Sequence, residues 1–338
     1  MEYKNKKNLY NVNILIICFI LILIFFILSM NTGYIKLSPL DTLKTLFGGG
    51  STKENLILFK FRLPRIVISI LVGMALSLSG CIIQDISKNA LADPGLLGIN
   101  AGAGLMIIVY VLLFGTNTFF SIFTLPFLAI IGAGITAIII YILSKNKHEG
   151  IKPIRLILNG IAIQAGISAL TTILVVKLDD TQFDFVASWQ AGSIWGSNWY
   201  FVLALLPWIL IFVPYLLFKS KILDILNLDD DVVKSLGVSI NKEKRRLLMV
   251  SVILAASAVS ISGGISFVGL IAPHLSRRLV GPKHSILLPT CAITGSILVL
   301  AADTIARTIV QPSEIPTGIV VAIIGAPYFL YLLIKSKL

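Results

Sequence analysis

The chain has 338 residues, of which 57% are hydrophobic and only 13% charged, with a mean hydropathy of +0.94. Soluble domains carry about 25% charged residues, so a soluble fold is excluded and a polytopic membrane protein is indicated. The formal net charge of +12 sits in the breaks between apolar segments, where membrane topology accounts for it, so no nucleic-acid partner is expected.

Lys4, Lys6 and Lys7 precede an apolar run over 12–30, as in a signal peptide. Leu28-Ser29-Met30 is not a small-x-small cleavage site, which predicts a retained first helix. Further runs long enough for a crossing, which takes about 20 residues, cover 64–84, 94–114, 119–143, 154–176 and 198–218, then 247–261, 264–280, 286–305 and 315–334. Residues 247–280 form a stretch of about 50 Å if continuous, against a hydrocarbon core of about 30 Å. A break at Gly263-Gly264 resolves the excess and gives ten segments. The polar breaks leave no room for a separate soluble domain, so residues 1–338 are read as one integral-membrane domain.

Orientation follows from Lys and Arg in the loops. With the N-terminus inside, twenty basic residues fall on the cytoplasmic side. Eight fall outside: Lys36, Lys44, Lys53, Lys60, Arg62, Arg65, Lys177 and Arg307. Fusing the seventh and eighth segments would make the ratio fifteen to thirteen. Ten spans with both termini cytoplasmic is the expectation.

The run from Asn89 through Asp93-Pro94-Gly95 to Gly104 reads as a turn at the inner surface. Asp93 caps the third helix there and Pro94 opens it. Pairs such as Gly98 and Gly102, or Gly263-Gly264 with Gly269, allow close helix packing. The inside loop 219–246 mixes Leu226, Val233 and Leu236 with Asp229-Asp230-Asp231, ending at Gly237. The apolar three are expected to line one face of short helices, with the acids in a first turn. Trp189, Trp195 and Trp199 near the outer surface are expected to anchor at the headgroups.

Candidate chemistry is sparse. Gly48-Gly-Gly-Ser-Thr-Lys53 lacks the spacing of a phosphate loop, so any ATP must be hydrolysed by another subunit. Asp179-Asp180 with Asp184 resembles the magnesium-diphosphate cluster of intramembrane prenyltransferases, but the only other dense acidic cluster, Asp229 to Asp231, falls on the opposite side. No acidic residue is expected deep in a span, as an ion-coupled secondary transporter would need; both classes stand as alternatives. Uncharged Asn159, Gln164, Ser168, Thr171 and Thr172 concentrate in the fifth segment and mark it as a path-lining helix. His148, His274 and His284 have no carboxylate partner in sequence, and Cys18, Cys81 and Cys291 lie in apolar segments without ligand spacing. All six are read as structural, with neither metal nor cofactor.

Several stretches carry a specific resemblance: Arg62-Leu-Pro-Arg65, Asn89 to Ala103, Trp189-Gln-Ala-Gly-Ser193, Val233 to Val238, Gly264 to Arg277, Ala302 to Arg307 and Glu314-Ile-Pro-Thr-Gly318. Together they resemble the permease subunits of type II ABC importers, the family of iron-siderophore, haem and cobalamin permeases. The match covers most of the chain, with one departure, Asn89-Ala90 in place of Asn-Pro. The resemblance implies an all-α permease of ten transmembrane helices in a bacterial plasma membrane. It also implies a second permease subunit, identical or homologous, two cytoplasmic ATPases, and an extracellular lipid-anchored or periplasmic substrate-binding protein. It places Arg62, Arg65 and Arg307 at the docking surface for that binding protein. The loop around Leu226, Asp229, Asp230, Asp231, Val233, Leu236 and Gly237 it places at the ATPase contact.

Overall fold

The computed structural model describes residues 2–335 other than 34, 36, 116–120, 147–149, 152, 195 and 312. Trp195, His148 and part of the 141–153 connection therefore lie outside the described residues. The described chain is helical except for a two-residue antiparallel ladder, Lys145 opposite Ile151, in the connection between the fourth and fifth segments.

Helix α1 (Glu2–Asn31) packs chiefly on α14 (His284–Ile309). Two short helices follow it, α2 (Pro39–Leu46) and α3 (Thr52–Asn55), each opened by a serine cap. Ser51 and Glu54 form a reciprocal capping box, a pattern readable in sequence that hydropathy passes over. A π-helical turn, Leu56–Arg62, runs into α4 (Leu63–Ser87), so the second segment begins well before Pro64. Pro64 has no N–H to give the preceding turn, and a widened turn is a common accommodation.

The Asp93-Pro94 turn differs from the expected helix start. Asp93 caps a 3-10 turn, Pro94–Leu97, through a 2.9 Å bond from the Gly95 N–H; Gly98, at φ 64, then starts α5 (Ile99–Phe114). The left-handed residue breaks the helical register, which is why the α-helix begins five residues after Pro94. Despite Ala90, this turn is closed by the Asn89 side chain, which accepts from the Leu91 N–H at 2.9 Å.

Next come α6 (Ser121–Ser144), α7 (Pro153–Val175), α8 (Asp180–Gln190) and α9 (Trp199–Phe218). Helix α8 stands where hydropathy predicts an outside loop. Its start is a capping box between Asp179 and Gln182, so Asp179 acts as a helix cap, and accepting the Gln182 N–H holds its carboxyl below the usual range. The loop over 219–246 folds into the short helices α10 (Ser220–Leu226) and α11 (Asp230–Ser235), as expected. Finally α12 (Ile240–Ser262), α13 (Val268–Val280), α14 and α15 (Thr317–Lys335) complete the chain.

The expected break lies between α12 and α13, where Gly263 takes φ 66. A Cβ at Gly263 would stand 1.9 Å from the Trp189 carbonyl oxygen, so only glycine fits this turn. Among the described residues eight helices are long and apolar enough to cross a membrane, and α5 is a shorter apolar helix. The core is built on α4, which packs against α12, α13 and α14. Glycine contacts set these distances: Gly80 lies on Gly269, Gly73 on Gly295 and Gly102 on Gly132.

Candidate functional site

Three places in the fold concentrate polar groups. The first is a cavity of about 280 Å³ lined by Gln164, Ser168, Thr171 and Thr172 of α7, with Asn100, Trp189, Gln190 and Gly264 on other walls. The α7 residues recur at helical spacing and so share a face. Asn159 does not join them, because its side chain donates to the Ser144 hydroxyl at 3.0 Å and ties α7 to α6. Trp189, expected at the headgroups, instead lines the cavity at the end of α8. Its carbonyl accepts from the N–H groups of Gly192 and Gly264, and the Gly192 carbonyl accepts from Gly318 at 2.8 Å. Three separated motifs thus line one cavity, the Trp189 run, the Gly264 run and the α5 stretch with Asn100, and Gly318 is tied to the first of them.

The second place is the end of the bundle at which α4 begins. Arg62, Arg65 and Arg307 are all buried, and none presents a free guanidinium outward. Arg65 reaches Asp303 of α14 at 2.9 Å and Glu314 at 2.7 Å. Arg307 sits one turn beyond Asp303, with its Nε 3.2 Å from the second carboxylate oxygen, and donates to the Ser29 hydroxyl. Arg62 donates to the carbonyls of Met30 and Ile35, holding the exit of α1. Sequence reasoning missed Asp303 and Glu314; Asp303 lies near the end of its segment rather than deep in it, and is buried by the helices around it. The i, i+4 spacing of Asp303 and Arg307 was the available signal.

The third place is the opposite end, where α10 and α11 lie. Asp229 is the N-cap residue of α11, Asp230 and Asp231 occupy its first turn, and Gly237 at φ 76 terminates it. The apolar residues do not share one face. Leu226 and Val233 are buried in the bundle, whereas Leu236 is 56% exposed, together with Leu228 and Val232. Val233 and Leu236, three residues apart, would share a face in a continuous helix, but α11 ends at Ser235 with Leu236 as its cap, and Leu226 belongs to α10.

Residues 21–335 match the FecCD transport family. The chain belongs to the FecCD transport family. It is 47% identical to the iron(3+)-hydroxamate import system permease protein FhuG of Bacillus subtilis (strain 168), covering all of both chains. It is 44% identical to the iron-uptake system permease protein FeuC of the same organism, covering 96% and 97% of the two chains. Among solved structures it resembles a metal-chelate type ABC transporter in an inward-facing conformation, at TM-score 0.84 and 31% identity over 96% of this chain and 99% of the other.

In this FecCD chain Asp93 is a scaffold residue whose chemistry is testable. Packed beside Gly269 and partly buried, its carboxyl is pushed up to about 6 by burial, against the lowering effect of the Gly95 N–H. The unfolded value is about 4, so the folded chain holds the proton more tightly and stability falls as pH rises from about 4 to about 6. Asp93→Asn keeps a cap acceptor and removes the charge. Its thermal midpoint in detergent is expected above that of the parent at about pH 7, with the difference vanishing near pH 4.

Proposed function

We propose that this FecCD family chain is the transmembrane subunit of an ATP-driven importer of iron(III)-siderophore chelates. It would cross a bacterial plasma membrane ten times with both termini in the cytoplasm, as one domain over 1–338. The observation that carries the reading is full-length similarity to an iron-hydroxamate import permease at 47% identity. The cavity suits such cargo, since a chelate buries its metal charge and presents amide, hydroxyl and carbonyl groups that Gln164, Ser168, Thr171, Asn100 and Gln190 can meet.

At about 280 Å³ the cavity is small for a chelate, since sites for drug-sized ligands run from about 300 to 1,000 Å³. Helix α7 also leaves most of its surface uncovered by its own chain. Both features favour a second permease subunit completing the path. On the cytoplasmic face, Leu228, Val232 and Leu236 with Asp229 to Asp231 offer the ATPases an exposed apolar and acidic surface, while Leu226 and Val233 anchor it from within. ATP-driven closure of the ATPases would move this 219–246 element and alternate access to the path.

At the outer mouth, docking of a binding protein would use the cluster of Arg62, Arg65 and Arg307. Glu314 is its partly exposed acid, with 31% of its side chain accessible, and an acidic side chain of the binding protein could take its place on Arg65. Glu314→Gln is then expected to tighten docking by about 5-fold, the scale of one exposed charge pair, as read by surface binding at low salt.

Reconstitution with ATPase and binding protein tests the whole reading by ATP-dependent uptake of radioactive ferric hydroxamate. Uptake that proceeds without nucleotide and collapses with a proton gradient would refute it in favour of a secondary transporter. Ser168→Trp is expected to abolish uptake by filling the path while leaving complex assembly intact.

A further inference from the structure

A buried polar chain at the α10 end of the bundle takes no part in the path or the docking surfaces described above. His284, the first residue of α14, is 1% exposed in its side chain. Its Nδ1 lies 2.7 Å from Asp224 Oδ1 on α10, and its Nε2 lies 2.7 Å from Asp85 Oδ2 on α4. The backbone N–H of His284 donates to the same Asp224 oxygen at 2.9 Å. Asp85 in turn accepts from Arg277 of α13 at 2.9 Å, and Arg277 donates to the Gln84 side chain. Gln84 donates to the Gly269 carbonyl at 3.2 Å.

Contacts of 2.7 Å between a nitrogen and a carboxylate oxygen each need a proton between them. A neutral imidazole has one N–H and would leave its other lone pair facing an anion. The doubly protonated ring satisfies both carboxylates, and the charges then balance, with Arg277 and His284 against Asp85 and Asp224. The other titratable groups close by are the thiols of Cys81 on α4 and Cys291 on α14, and Lys88 borders the adjoining cavity. Cys81, Asp85 and His284 lie close enough together to hold a metal ion. However, both ring nitrogens are already bonded, and the Arg277 guanidinium lies 3.8 Å from the Cys81 sulfur, where it opposes a cation.

We propose that His284 is a positioning residue for transport, an imidazolium pin between Asp224 and Asp85 that makes α10 move with the core helices α4 and α14. This rests on the importer reading above. Leu223 and Leu226 seat α10 by apolar contact, which tolerates sliding, whereas the pin fixes its register. From Asp85 the linkage passes through Arg277 and Gln84 to Gly269, where α13 meets α4 and the Asp93-Pro94 turn. Helix α13 begins just beyond Gly264 on the cavity wall, so a push on α10 reaches the cavity along one short helix.

The test uses the complete complex of permease, ATPases and binding protein in proteoliposomes. ATP hydrolysis and ferric hydroxamate uptake are measured on the same vesicles. His284→Gln can serve only one carboxylate at a time. It is expected to keep hydrolysis within about twofold while uptake per ATP falls about tenfold, the scale of a typical coupling free energy. Asp224→Asn should behave alike, and the double variant should be no worse than either alone, since all three cut one linkage. If His284→Gln fails to assemble, Asp224→Asn decides the matter by the same ratio. An unchanged ratio, or uptake and hydrolysis falling in proportion, overturns the pin. Stoichiometric zinc in the complex that is lost in Cys81→Ser overturns it as well and assigns the cluster to a metal. Parent vesicles without ATP-dependent uptake would instead refute the importer reading, a result distinct from any change in ratio.

Discussion

Replacing Asp303 by alanine is expected to destabilise the chain by about 3–5 kcal/mol, the cost of removing one partner from a buried charge cluster. Asp303 is fully buried and is shared by Arg65 and Arg307, while Thr317 donates to it at 3.1 Å. Without the carboxylate, two buried guanidiniums face each other with one remaining acid, Glu314. The carboxylate also joins α4, α14 and the start of α15, so its loss should loosen that end of the bundle as a unit. Thermal unfolding in detergent, read by size-exclusion recovery, is the measurement. Asp303→Asn retains an acceptor for Arg65 and should fall between parent and alanine. Glu314→Gln, at a partly exposed site, is expected to cost about 1 kcal/mol or less. Equal losses at 303 and 314 would show that burial does not govern this cluster.

Gly80→Ala is the second large effect, expected at about 2–3 kcal/mol from overpacking. A Cβ there would lie 1.9 Å from the Gly269 carbonyl oxygen and 2.5 Å from the Gly269 Cα. Both are backbone atoms, which cannot rotate away, so α4 and α13 must separate. That separation would also strain the bond from Gln84 to Gly269, coupling a stability loss to a transport loss. Gly166→Ala is the matched control, since nothing lies within 4 Å of a Cβ at that position in α7. There the change should be neutral or stabilising, by up to about 1 kcal/mol from helix propensity. The same detergent melts decide between them, and a Gly80→Ala variant as stable as Gly166→Ala would contradict the close α4–α13 contact.

Much of the architecture is legible in the amino-acid order. Apolar runs of membrane length mark all the long helices, because a lipid-facing backbone must be helical and its side chains apolar over a set thickness. The excess length of 247–280 locates the break at Gly263-Gly264, and the acids at 229–231 announce the start of α11. The uncharged polar residues of 164–172 stand out because polar side chains in a span are costly. Asn159, chosen by the same rule, turns to a neighbouring helix instead, since a sequence does not say which way a helix faces. The short helices α2, α3 and α8 escape a hydropathy reading although Ser38, Ser51 and Asp179 cap them. Hydropathy is silent about polar helices, and the capping pattern was the signal to use.

The sequence by itself determined the membrane class, the long apolar helices and the family, because these depend on local composition and on motifs contiguous in the chain. Tertiary structure alone decided the partners. Arg65 lies 238 residues from Asp303 and 249 from Glu314, and Asp85 lies 199 from His284. Contacts at such separations are set by which helices the glycine pairs bring together, a packing outcome with no periodicity along the chain. That is why the arginines look like free outer cations in the sequence and His284 like an idle loop residue. In the fold Arg65 and Arg307 close on the buried Asp303 carboxylate, Arg62 bonds the exit of α1, and the histidine bridges two helices.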